Sequence, residues 1–123
     1  MTVVLVDANN VFRSLWPNMP EAELVERCRS WAEREQLQVV VVFDRRGPGG
    51  VVGEEALDAR CTVVGSASVT ADEWIAERAA ELAATGDAFV LVTSDRELRA
   101  VAGRDAERVV GGGSFARLLL GST

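Results

Sequence analysis

Four aspartates carry the chemistry open to this sequence. Asp7 ends the apolar run 3–6, Asp44 ends the run 39–43, and Asp95 follows the run 88–92. Asp72 opens a helical pattern that follows the run 61–64. In an open parallel sheet, ligands gather outside the carboxyl ends of the strands. Carboxylates brought together there repel, and some of them protonate. A hard divalent cation, Mg2+ or Mn2+, relieves the conflict. Such an ion takes oxygen ligands, often through only one or two carboxylates plus water and substrate phosphate. Held this way it activates water and stabilises charge on a phosphodiester. Asp7, Asp44, Asp72 and Asp95 are therefore the candidate catalytic and metal-holding residues.

Composition narrows the mechanism. The chain has 123 residues, 19 acidic and 13 basic, and no histidine. All 13 basic residues are arginine. Without histidine there is no imidazole base, no His-dependent triad and no His-ligated zinc. A formal charge of −6 argues against binding nucleic acid through bulk charge, though not at a local site. An apolar share of 48% argues against disorder, and the length suits one domain over 1–123. Cys28 and Cys61 form no CxxC pair and read as reduced, partly buried thiols. Asp7 interrupts the first apolar run, so no signal peptide is read, and no run approaches a membrane span. The expectation is a soluble, cytoplasmic protein with no membrane partner.

The elements that must position the aspartates alternate. Strands are expected at 3–6, 39–43, 61–64, 88–92 and 108–110. Helices are expected at 20–36, 70–85 and 94–102, with a last helical turn or two at 114–120. Four consecutive valines at 39–42 suit a central parallel strand covered on both faces. This alternation predicts a parallel sheet with helices on both faces. Gly47-Pro48-Gly49-Gly50 and Gly111-Gly112-Gly113 read as loops. If the first, second and fourth strands are neighbours, the carboxylates meet on one rim.

Each residue also has a structural role to offer. Thr70-Ala71-Asp72-Glu73 and Ser94-Asp95-Arg96-Glu97 both read as capping boxes. Asn9 and Asn10 read as a turn, or as amides that orient a metal ligand or a phosphate. Ser114, after the glycines, reads as a helix cap or as part of a phosphate cradle. Arg13, Arg45, Arg46, Arg96 and Arg99 lie near the rim, where guanidinium forks suit phosphate. For Arg99 a solvated charge or a salt bridge to a rim carboxylate is preferred. Trp16 could stack on a base.

Four segments in order resemble a known family. Val4-Leu5-Val6-Asp7-Ala8-Asn9-Asn10 resembles the D-G-x-N opening of the NYN branch of PIN-like nucleases. Val41-Val42-Phe43-Asp44, Thr70-Ala71-Asp72-Glu73-Trp74-Ile75 and Val92-Thr93-Ser94-Asp95-Arg96-Glu97 resemble its later motifs. The nearest likeness is to bacterial YacP-like NYN proteins, a family that includes a ribosome-associated endoribonuclease. The resemblance implies a three-layer α/β/α PIN-like domain around a mostly parallel five-stranded sheet. It implies a Mg2+- or Mn2+-dependent endoribonuclease. Asp7, Asp44, Asp72 and Asp95 match the acidic positions, Asn10 the motif asparagine, and Ser94 the serine before the fourth aspartate. Ala8 departs from the usual glycine.

Hydrolysis of RNA phosphodiesters is thus the leading expectation. Asn10, Arg45, Arg46, Ser94, Arg96 and Ser114 are the expected substrate-binding residues. The expected partner is RNA, whether messenger, transfer or ribosome-associated, and a homodimer is left open. The alternative is a catalytically inactive PIN-like module that binds RNA or a protein. An aspartyl-phosphate phosphatase would need D-x-D after the first strand, where this chain has Asp7-Ala8-Asn9.

Overall fold

The computed structural model describes residues 2–14 and 19–121. In chain order its elements are β1 (Val3–Asp7), α1 (Ala8–Phe12), α2 (Glu21–Glu35), β2 (Gln38–Phe43) and a 3-10 turn (Pro48–Gly50). Then come β3 (Gly53–Ala56), β4 (Cys61–Gly65), α3 (Ala71–Thr85), β5 (Phe89–Val92), α4 (Arg96–Ala102), β6 (Arg108–Val110) and α5 (Gly112–Gly121). The strand order is β3-β4-β2-β1-β5-β6. All neighbours run parallel except β3, which is antiparallel to β4. Trp16 lies outside the described residues.

The valine runs explain the centre of the sheet. β-Branched side chains fit a pleated surface, and successive residues point to opposite faces. Val4, Val6, Val41 and Phe43 therefore pack against Leu24 and Cys28 of α2 and Phe115 and Leu119 of α5. Leu5, Val40 and Val42 pack on the other face against Ile75 and Ala79 of α3 and Leu98 of α4. The result is a three-layer α/β arrangement with β1 in the middle, between β2 and β5. Asp7, at the end of β1, and Asp44, just past β2, follow from that placement. Among the described residues no helix is long and apolar enough to cross a membrane.

Three expectations need correction. The described sheet has six strands, not five, because β3 follows the glycine-rich turn. Its sequence, Gly-Glu-Glu-Ala, shows no apolar alternation, and its exposed Glu54 is tied to Arg78 of α3 at 2.7 Å. The Asn9-Asn10 turn is instead the short helix α1. Helix α5 starts at Gly112, so Ser114 sits inside its first turn rather than capping it.

Candidate active site

The rim assembles from the four segments that follow β1, β2, β4 and β5. Asp7 is only 5% exposed. The buried Thr93 hydroxyl donates to Asp7 Oδ2 at 3.0 Å. Thr93 Oγ1 in turn accepts the Asp95 N–H at 3.1 Å, so Thr93 links two of the four aspartates. Asp95 also caps α4, its Oδ1 accepting the Leu98 N–H at 2.9 Å. The cap at this helix is therefore Asp95, one residue later than the expected capping box. At α3 the expected cap is observed, with Thr70 Oγ1 accepting the Glu73 N–H at 3.1 Å.

Asp44 is braced on both oxygens. Its Oδ1 accepts the Ala71 N–H at 2.7 Å, and its Oδ2 accepts Asn9 Nδ2 at 2.5 Å. The carboxylate after β2 thus pins the start of α3 and sets the position of Asp72 in its first turn. Asn9 is the asparagine amide that orients a rim carboxylate. Asn10 turns elsewhere: its Oδ1 accepts the Ser94 N–H at 2.9 Å. Ser94 Oγ in turn accepts the Gly112 N–H at 2.9 Å. A Cβ on Gly112 would stand 2.2 Å from Asn10 Oδ1, so only glycine fits there. Asn10, Ser94 and Gly112 form a latch joining the loops after β1, β5 and β6.

Electrostatics makes one neighbourhood of these groups. Burial raises the Asp7 pKa, and the charges of Asp72 and Asp44 raise it further. The Thr93 hydroxyl and the Asn10 backbone N–H pull the other way. Partial desolvation raises Asp72, followed by Asp95 and Asp44, with Glu97 adding to the effect and Arg13 opposing it. Carboxylates that destabilise one another's charged forms are an all-oxygen donor set suited to a hard cation. Among the described residues, no group of three or more acidic or thiol side chains closes into a ready-made metal cage. A cation here would bind through one or two carboxylates directly, with water completing its shell.

The arginines on helix faces and those near the rim differ in their partners. Arg27, Arg29 and Arg78 are tied up in salt bridges on helix faces. Arg13, Arg45, Arg46 and Arg96, near the rim, make none among the described residues. Arg99 is exposed, as expected of a solvated charge, and pairs with no carboxylate among the described residues; its Nε donates to the Thr93 carbonyl at 2.9 Å. Ser114 is exposed and its Oγ accepts from Arg117 at 3.2 Å. Thr93 had drawn no role in the sequence, because threonine is an ordinary strand residue. Its signal was its place beside Asp95 at the end of a strand.

An acidic rim at the carboxyl ends of a parallel sheet, inside an α/β/α frame, fits a PIN-like fold. The model of the YacP-like NYN domain matches residues 4–113, and the chain belongs to that family. The fold is similar to the crystal structure of Rae1 (YacP) from Bacillus subtilis, with a TM-score of 0.71 and 24% identity. That match covers 98% of this chain and 75% of the Rae1 chain. A crystal structure of a Rae1 mutant matches with a TM-score of 0.72 at 22% identity, over 98% and 76% of the two chains. No curated protein matches the sequence.

Proposed function

We propose that the chain, acting as one PIN-like domain over 1–123, is an endoribonuclease that uses Mg2+ or Mn2+ held by carboxylates. The observation that carries this reading is Asp7: a buried carboxylate at the end of the central strand, opposed by the charges of Asp72 and Asp44. A fold needs no such conflict for its own stability. A bound divalent cation supplies neutralising charge and a more acidic water. Asp7, fixed by Thr93, and Asp95, fixed as a helix cap, are rigid oxygen donors toward it. Asp44 orients the start of α3. Asp72 is exposed, with a raised pKa that suits a group taking up a proton at its carboxylate oxygen. The unpaired Arg13, Arg45, Arg46 and Arg96 offer forks to the RNA phosphates. Asn10 and Ser94 border the site, and Ser114 follows in the first turn of α5. The two former act mainly by holding its loops together.

The test is cleavage of a labelled RNA with Mn2+ or Mg2+, with EDTA and Asp7→Asn as controls. Cleavage that persists under both controls would sink the reading. A second reading, a silent RNA- or protein-binding module, draws support from the lack of a closed three-carboxylate cage among the described residues. It predicts RNA binding with neither cleavage nor a rise in melting temperature on adding Mn2+.

A further inference from the structure

A cleft of about 500 Å3 opens beside Asp44, lined by Asp44, Arg45, Ala67, Ser68, Val69 and Thr70. It lies between the loop after β2 and the loop after β4. That size is in the range of sites that enclose a small organic ligand.

Its walls are fixed in advance. Arg45 and Ala67 both adopt left-handed backbone, with φ of 64° and 63°. The two are tied together, the Ala67 N–H donating to the Arg45 carbonyl at 3.0 Å. The Arg45 N–H donates to Ser66 Oγ at 2.9 Å, and that buried hydroxyl donates to the Val69 carbonyl at 2.7 Å. The loops close tightly over Gly65, where a Cβ would lie 2.1 Å from the Val51 carbonyl and 2.8 Å from that of Arg45. Left-handed backbone at a non-glycine residue is strained, and such outliers collect at ligand clamps. Here the backbone of Arg45 is held at both ends while its guanidinium makes no salt bridge among the described residues.

The charge of the cleft suits an anionic strand. Arg45 is its one cation among the lining residues. The acidic wall, Asp44, has both oxygens engaged by N–H donors, which offsets its repulsion of a phosphate. Val69 is 38% exposed and, with Ala67, gives a small apolar surface. Ser68 and Thr70 add hydroxyls.

We propose that this cleft is the subsite for the nucleotide next to the scissile phosphodiester. The Arg45 guanidinium holds that nucleotide's phosphate, and the wall from Ala67 to Val69 lies against its base. The proposal rests on the ribonuclease reading, since Asp44 is shared between the rim and the cleft.

The experiment measures binding of a short labelled single-stranded RNA in the Asp7→Asn background, and cleavage of the same RNA in the parent with Mn2+. Arg45→Ala removes the phosphate contact, and Ser68→Trp fills the cleft without changing charge. Each is expected to weaken binding about tenfold, while Arg104→Ala, an exposed arginine remote from the cleft, stays within about twofold. Arg45→Ala should also lower the salt dependence by about one phosphate contact, and Ser68→Trp should not. Unchanged melting temperatures show that the variants fold. If both variants bind RNA as tightly as their background, the subsite is overturned, whatever the cleavage result. If both lose binding but the parent never cleaves, the subsite stands and the hydrolytic reading falls. If the background binds no RNA, both fall.

Discussion

Replacing Asp7 by asparagine should abolish cleavage and at the same time stabilise the fold. The substitution keeps size and shape, and the amide oxygen can still accept from Thr93. What disappears is a buried charge opposed by Asp72 and Asp44. Relieving strain of this kind at an active site gains about 0.5–2 kcal/mol, and the weaker neutral hydrogen bond returns under about 1 kcal/mol. A net gain of about 1 kcal/mol remains. At roughly 2 cal/mol/K of unfolding entropy per residue, a chain of 123 residues converts this to a rise of about 4 °C in Tm. The pH dependence gives a second check. The folded state raises the Asp7 pKa, so it binds that proton more tightly than the unfolded chain. Stability contributed by the protonated group is lost as pH rises through the raised value. The gap between variant and parent should therefore be open at neutral pH and close below the ordinary carboxylate range. Metal-free scanning calorimetry across pH measures it. A variant less stable at neutral pH, or a gap that ignores pH, would refute the electrostatic account of the rim.

Asp44→Ala should behave in the opposite way, costing about 1–2 kcal/mol in urea unfolding, because it removes the acceptor of the Ala71 N–H and frees Asn9. Gly112→Ala should cost about 1–3 kcal/mol, since its Cβ collides with Asn10, and should lower amide-exchange protection at Ser94. Phe115→Ala removes a buried ring set edge-on to Trp31 at 5.0 Å and should cost about 3–5 kcal/mol by thermal unfolding. Mn2+ at a hundredfold excess over its Kd should stabilise the parent by about 2.7 kcal/mol. A shift of equal size in Asp7→Asn would show that the ion binds elsewhere.

The parts of the fold legible in the sequence were those driven by apolar patterning. The valine run of β2 announced a strand covered on both faces, and Thr70 announced the start of α3. Strand β3 was hidden because its stabilisation comes from pairing with β4 and from Arg78, not from its own composition. The site was legible at the level of which segments meet, since strand ends dictate where Asp7, Asp44 and Asp95 fall. The division of labour within it was not. Asn9 and Asn10 are neighbours of one type, yet one braces Asp44 and the other holds Ser94. Only the turn of α1 decides which amide faces which loop. The left-handed backbone at Arg45 and Ala67 was equally out of reach, because neither residue type favours it.

The position of β1 at the centre of the sheet bears on how the molecule comes to exist. β1 is made first, yet its two partners are β2 and, much later, β5. The bond from Thr93 to Asp7 spans 86 residues and that from Ser94 to Asn10 spans 84. Closing such long loops is slow, and until it happens the β-branched strand keeps one edge unpaired. Because the latch also needs Gly112, the rim cannot take its final shape on a chain still lacking α5. A growing polypeptide of this sequence therefore carries an unfinished rim, with one edge of β1 unpaired, until β5 and α5 are in place.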